Sequence, residues 1–498
     1  MSEMFFKRAA IVFFVCLFAA GCFAFSDYGI SWDEGMQRSL VGEVNYNFIK
    51  TGNSDMLLTN SCKYYGPAFE TLLYAAEKFF NLSDPHSIFI LRHGISFLTF
   101  FIASICFYLL CFKIFKSRGI ALLGSIMLAA SPRIFADSFY NSKDLPMLCF
   151  CIIACYTMFL FIEKPTILRA TFHALFCGIV LDIRILGLLL PIATLYLFIF
   201  QKEKKVIPLL VFIVYTLFFI IAFWPLLWLN PMQHFIEAFK QMSNYPVMGA
   251  TDLYMGNNVP ASNLPWHYLP VWIGITTPIC YSFFFLTGLF FLIKNTLVDF
   301  KSTLEMQPVL FIFFAPVLAV VILNSTLYDG WRHLFFVYPF FLIIAVFGFT
   351  QLIQDVKNAA AVKFITYSTV VLIASVIITM VEIHPFQNVY FNMLAGNNIR
   401  QKYELDYWGL SYKQGLEYIL AHDKSNQINI AAENSPGFLN FNIIPAEERK
   451  RLVRNNNINT ADYFLSNFRN HPQDYNFGTS VFQINAGGEK IMEVLKLK

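Results

Sequence analysis

Charge is scarce in this chain. Lys, Arg, Asp and Glu together make up 14% of its 498 residues, too few to cover the surface of a soluble domain of that length. Nor is that charge lopsided: the formal net charge is +4, which gives nucleic acid no footing. Also missing are any Cys-x-x-Cys pair with metal spacing outside the apolar runs, any internal repeat and any low-complexity tract. Cys106, Cys111, Cys149, Cys151, Cys155, Cys177 and Cys280 lie inside apolar runs as small hydrophobes. Cys62 has no evident partner, so neither a disulfide framework nor a zinc site is expected. In place of charge there is apolar mass: 57% of residues are hydrophobic, and 57 are phenylalanine. Large apolar side chains on every face of a helix suit lipid, and the composition is that of a polytopic membrane protein.

A bilayer needs about 20 apolar residues per helix, with about 17 tolerated. Runs that meet this rule fall near 6–25, 88–112, 119–135, 145–162, 167–183, 185–200, 206–229, 271–293, 308–324, 334–352 and 363–382. That makes about eleven spans. The fifth and sixth are short and parted only by "LDIRIL". The first run ends in "FFVCLFAAGC", which resembles a lipoprotein cleavage box at Cys22. Ala19 stands where such a box favours leucine, and the run reads as a retained helix.

Orientation follows from the cations of short loops. With the N-terminus inside, the inner segments are "KR" (7–8), "KIFKSR" (113–118), "EKPTILR" (163–169), "QKEKK" (201–205), "KNTLVDFK" (294–301) and "QDVKNAAAVK" (354–363). The longer loops 26–86 and 230–270 then lie outside, as does the tail. The expected organisation is a membrane domain over 1–382, with first outer loop 26–86, and a small extracytoplasmic α/β domain over 383–498. After Trp32, apolar Met36, Leu40, Val41, Val44 and Phe48 recur at helical spacing, with Gln37, Ser39, Glu43, Asn45 and Asn47 opposite. This predicts an amphipathic helix in the membrane interface, and "MQHFIEAFKQM" predicts a second. In the tail, "QINIAA" reads as a strand, "AEERKRLVR" as a helix and the end of the chain as a hairpin around Gly487–Gly488.

Ionisable residues bordering a span are costly, and by default they mark function. Asp33 and Glu34 follow the first span, and Arg92 and His93 begin the second. Arg133, Asp137, Lys143 and Asp144 lie between the third and fourth. Asp329, Arg332 and His333 precede the tenth. All gather on the side read as outer. Taken singly, an acid pair after a span is usually a solvated loop or a helix cap, and an arginine there an anchor. Arg184, in "VLDIRILGLLLP", is harder to dismiss, because it needs a buried anion. Asp182, two positions away, is badly placed on a helix to supply it, and a ligand phosphate is the favoured partner.

The ordered set "ISWDEG", "YYGPAFE", "SPRIFADSFYNSKDLP", "LDIRILG", "LYDGWRHLFFVYP" and "HPFQNVYFN…YELDYWGLSYKQGLEYI" resembles bacterial GT-C glycosyltransferases. The nearest branches are the protein O-mannosyltransferase-like and aminoarabinose-transferase-like ones, and the likeness runs from Ser31 to about Ile419. It implies a GT-C fold in a bacterial inner membrane, taking a sugar from a polyprenyl-phosphate carrier on the outer face. Asp33 would be the catalytic base, Glu34 would orient it or hold a metal, and Asp144 would assist positioning. Arg184, Arg332, His333 and Lys143 would meet the donor phosphate, and Tyr65, Arg92 and His93 would contact substrate. Members differ in using a divalent metal; magnesium or manganese here would take Asp33, Glu34 and Asp144.

The chemistry agrees with these residue types. When the sugar–phosphate bond breaks, the leaving carrier phosphate gains negative charge, which cations stabilise selectively in the transition state. Arginine's fork matches phosphate oxygens. The incoming hydroxyl is a poor nucleophile and must lose its proton, which a carboxylate in a partly dry site can take. A single displacement inverts the anomeric carbon. The rival readings are a lipid or solute transporter or flippase, which calls for midplane charges and inverted repeats, and a GT-C-like polysaccharide polymerase or ligase.

Overall fold

The computed structural model describes residues 3–201, 204–243 and 251–498. Among them, eight helices are long and apolar enough to cross a membrane. They are Glu3–Ala24, Pro85–Phe115, Asp144–Glu163, Val206–Phe223, Ile279–Val298, Phe300–Ile322, Arg332–Asp355 and Ala359–Glu382. A ninth is added if Arg118–Ala129 and Pro132–Tyr140, bent by 65° at their junction, form one broken span. This is a multi-pass membrane architecture. The difference from eleven lies in the two short runs: Ile167–Ile183 has 17 residues, and the next begins with a 3-10 turn, Ile185–Leu188, before helix Leu189–Ile199.

Three predicted spans are interrupted, each at a proline; in the run 206–229, Val206–Phe223 and Leu226–Leu229 are parted by Trp224 and Pro225. Helix Arg118–Ala129 stops before Ser131, and Pro132 starts the bent piece at a position where its missing N–H costs nothing. Every residue of that piece is buried. The run read as 271–293 is two helices, Tyr268–Thr276 and Ile279–Val298, parted by Thr277 and Pro278.

The first loop is helical from Glu34 to Thr51, but Gln37–Glu43 is wound as a π-helix. The wider winding rotates the buried face, so Gln37 and Asn45, expected on the polar side, are buried with Val41, Val44 and Phe48. This face packs on the protein as well: a Cβ on Gly42 would lie 2.8 Å from the Glu70 carbonyl oxygen of helix Ala68–Phe79. The second amphipathic segment forms helix Pro231–Ser243. Part of loop 230–270, residues 244–250, and Lys202 and Glu203 of "QKEKK" lie outside the described residues.

Strands β1 (Thr251–Tyr254) and β2 (Asn257–Pro260) pair as an antiparallel ribbon. The tail contains β3 (Ile428–Ala432), β4 (Leu452–Arg454), β5 (Tyr463–Ser466), β6 (Thr479–Ala486) and β7 (Glu489–Lys496), in the order β4-β3-β5-β7-β6. β3 runs parallel to β4 and β5, while β7 runs antiparallel to β5 and β6. The hairpin turns at Gly487 and Gly488, both at positive φ (60° and 82°). "AEERKRLVR" is divided: Ala446–Arg449 is a short helix and Leu452–Arg454 a strand. The apolar core of this sheet includes Ile30 of the first loop and Phe89 of helix Pro85–Phe115, which seats the tail on the helices.

Candidate active site

The polar ends of several helices meet under the C-terminal sheet. Asp33 caps the first-loop helix, and its carboxylate is 25% exposed. Asp144 opens helix Asp144–Glu163 and is buried. Arg332 Nη1 donates to both, at 3.0 Å to Asp33 Oδ2 and 3.2 Å to Asp144 Oδ2. Its Nη2 donates to Asp329 Oδ2 at 3.3 Å. The guanidinium lies 4.9 Å from the Tyr328 ring centre and 4.6 Å from that of Trp408. Arg184 donates to the other oxygen of Asp144. Lys143 lies over the Tyr65 ring, 3.3 Å from its centre, and His333 meets Tyr328 edge-on at 4.6 Å. Burial, reinforced by Arg184 and opposed by Asp144 and Asp33, brings the Lys143 ammonium down to about 7.

Arg184 sits here because the chain breaks there. Helix Ile167–Ile183 ends, and Arg184 is extended, with φ −149° and ψ 135°. Its anion is Asp144, not Asp182 and not a ligand alone. Asp182 instead accepts the Ala68 backbone N–H at 2.7 Å, at the start of helix Ala68–Phe79. Among the described residues, the buried nitrogens Arg184 Nε, Arg332 Nε and His333 Nδ1 have no hydrogen-bond partner. An unmet buried polar atom costs about 1–3 kcal/mol, so the two arginine N–H groups are available to an incoming acceptor atom and the histidine nitrogen to a polar group of either kind.

Three predicted site residues are occupied otherwise. Glu34 turns inward from Asp33: it accepts the Ser31 N–H at 2.7 Å and pairs with His93 Nε2 at 3.1 Å. Arg92 is clamped between Glu70 at 2.5 Å and Glu77 at 3.0 Å, all buried. Arg92 and His93 thus tie the first loop to helix Pro85–Phe115 and are not placed as substrate contacts. Asp33, Glu34 and Asp144 do not converge as a cation cage. Among the described residues no three His, Cys, Asp or Glu side chains do. The site does not fit a metal held by that trio, because Glu34 faces His93 and Asp144 is saturated by two arginines.

The tail contributes two residues that the sequence did not assign. Trp408, within "DYWGLSY", covers Arg332, donates its indole N–H to Asp137 at 3.1 Å and accepts the Trp32 N–H at 3.1 Å. Arg469, just past β5, pairs with Asp329 Oδ1 at 2.7 Å and lies over the Trp32 ring at 4.6 Å. The motif that contains Trp408 was visible. Arg469 lies in "SNFRN", where nothing periodic or spaced singles it out.

Residues 74–228, under half of the chain, match the sequence family described as Dolichyl-phosphate-mannose-protein mannosyltransferase. No curated protein matches. Among solved structures, ArnT from Cupriavidus metallidurans in the apo state aligns with 98% of this chain and 98% of its own, at 10% identity and TM-score 0.50. The Archaeoglobus fulgidus oligosaccharyltransferase in the apo form aligns at 10% identity and TM-score 0.47, with 88% of this chain covered. The chain spans 64% of that protein's length. The archaeal oligosaccharyltransferase AglB from Archaeoglobus fulgidus, in complex with an inhibitory peptide and a dolichol-phosphate, aligns at 10% identity and TM-score 0.48, covering 92% of this chain and 69% of its own. The chain thus shares the fold of ArnT along nearly its whole length, and within it residues 74–228 match the mannosyltransferase family.

Proposed function

We propose that the protein is a membrane glycosyltransferase that moves a sugar from a polyprenyl-phosphate carrier to an acceptor hydroxyl on the extracytoplasmic face of a bacterial inner membrane. The observation that carries this reading is the Arg332 bridge: one guanidinium holds Asp33 and Asp144 together, with Arg184 on the far side of Asp144. Asp33 is the exposed carboxylate of that set and takes the acceptor proton. Arg332 contacts it and Arg184 contacts Asp144; with Lys143 and His333 they supply the groups that stabilise the charge growing on the leaving phosphate. Base and cations lie within one cluster, as a single displacement with inversion needs.

A lipid-linked donor also needs room for its chain. An apolar cavity of about 480 Å³ runs between helices Glu3–Ala24 and Ala359–Glu382, lined by Phe13, Phe23, Phe135 and Met380, with Asp27 and His384 at its polar end. Its lining suits an isoprenoid chain. The transporter reading gains nothing from these features, since the ionisable cluster lies at helix ends.

The test is sugar transfer by purified protein in nanodiscs, using a panel of radiolabelled undecaprenyl-phosphate sugars with envelope lipids, glycans and peptides as acceptors. Asp33→Asn keeps the shape and loses the base, and turnover is expected to fall about 100-fold or more. Wild-type turnover in that variant would remove Asp33 from its role, and no transfer from any donor would remove the reading.

A further inference from the structure

The conducting thread is an alternating chain of charges that begins in the C-terminal domain. Arg469 Nη2 donates to Asp329 Oδ1 at 2.7 Å, and Asp329 Oδ2 accepts from Arg332 Nη2 at 3.3 Å. Arg332 Nη1 then reaches Asp33 and Asp144. Each end of the Arg469–Asp329 pair is held by an unusual backbone. Asp329 has φ +56°, and Arg469 is flanked by Phe468 at +59° and Asn470 at +63°. Such angles are uncommon outside glycine; aspartate and asparagine tolerate them best, and Phe468 holds one only because its surroundings enforce it. Here the distortion brings an arginine out of the strand end and into the cluster.

The other contacts of Arg469 fix its fork. Nη1 donates to the Tyr407 carbonyl at 2.6 Å, next to the tryptophan that covers Arg332. The guanidinium plane covers Trp32, the residue before Asp33. Arg469 therefore touches the neighbours of both halves of the proposed machinery without touching Asp33 or Asp144 themselves.

We infer that Arg469 is a positioning residue for the transfer reaction: through Asp329 it orients the Arg332 fork, and over Trp32 it holds the loop that presents Asp33. The inference rests on the glycosyltransferase reading for its kinetic consequence. It also makes the C-terminal domain part of the active site, since the site's charge chain is incomplete without Arg469. Two anchor points met by two nitrogens of one planar fork suit arginine, because a lysine's single rotatable nitrogen would not hold a fixed orientation between Asp329 and Tyr407.

The test compares Arg469→Ala, Arg469→Lys, Asp329→Asn and the double variant Arg469→Ala/Asp329→Asn in nanodiscs. Arg449→Ala is the control, because it removes another tail-to-helix ion pair, with Asp84 at 2.8 Å, that shares no residue with this cluster. Arg469→Ala is expected to lower kcat about 100-fold, with affinity for undecaprenyl phosphate falling less than about tenfold, and Arg469→Lys to recover part of the rate. In the Asp329→Asn background, Arg469→Ala should add less than about threefold, since both act on one fork. Losses that multiply, or a loss no greater than that of Arg449→Ala, overturn the assignment. A second readout needs no donor: amide hydrogen exchange over residues 328–337 should rise in Arg469→Ala and not in Arg449→Ala. Unchanged exchange overturns the positioning role, whereas absence of transfer by the wild type, with exchange raised, overturns only the glycosyltransferase reading.

Discussion

Arg332 serves three carboxylates from three separate segments, while its flat faces lie against Tyr328 and Trp408. Removing one member of so buried a set strands the others, which costs about 3–5 kcal/mol, so shape-preserving changes such as Asp33→Asn read chemistry better than alanine does. Lys143 is the residue whose pH response follows from its surroundings. Its folded value of about 7 lies below the ordinary 10.5, so the folded chain resists charging it. That penalty sets in as pH falls below 10.5 and is complete below about 7, and Lys143→Met should raise the melting temperature at acid pH. A phosphate bound nearby reverses the balance by favouring the ammonium. Binding above about pH 7 then takes up a proton, and affinity for undecaprenyl phosphate is expected to weaken about tenfold between pH 7 and pH 9. Titrating proton uptake by calorimetry in two buffers checks this, and Lys143→Met should abolish the uptake.

At the scale of elements, the site depends on where helices stop. Pro132 ends one helix and begins another at 65°, turning Asp137 and the loop to Asp144 inward. The break at Arg184 turns a would-be membrane residue toward Asp144. That break is held by "YYGPAFE": Gly66 lies so close to the 182–183 peptide that a Cβ would sit 1.5 Å from the Asp182 carbonyl oxygen. Two residues on, the Ala68 N–H binds the Asp182 side chain. Gly66→Ala must push these strands of chain apart, at a cost of about 1–3 kcal/mol, and should displace Arg184 with them. A lower melting temperature together with lost affinity for undecaprenyl phosphate is the expected result, with both measured on the same nanodisc preparation. The glycine and the acid were both in plain view in the sequence, but only proximity across more than a hundred residues shows that they are one device.

At the scale of the whole molecule, the C-terminal domain is clamped to the first loop by buried hydrogen bonds. Asn440 Oδ1 accepts the Ile30 N–H at 2.8 Å, and its Nδ2 donates to the Ile30, Gly409 and Pro436 carbonyls at 2.9–3.1 Å. Gly29 lies against Leu410, whose carbonyl oxygen would be 2.4 Å from a Cβ. Asn440→Leu leaves Ile30 without either partner in a buried place, which should cost about 1–3 kcal/mol per group. Limited proteolysis is expected to release the tail faster, at the 383–411 connection, with the helices left intact. The Glu404 carboxyl is pushed up to about 8 by burial, against the pull of Arg469.

Hydropathy alone pointed to a multi-pass membrane chain and to most of its long helices, because an apolar run is a local property; it overcounted the spans, eleven against eight or nine. The "DYWGLSY" motif and the acid after the first helix were likewise legible as a set. Pairing was not. Glu34 and Asp33 are neighbours in sequence, yet a helical turn sends one to His93 and the other to Arg332. Arg184 and Asp182 are two apart, yet each finds its partner in another segment. Only the tertiary structure decided which acid meets which cation and brought Arg469 from the far end of the chain into the cluster. The physical reason is that a buried charge takes whatever counter-charge the packing brings within reach, and sequence distance carries no information about that.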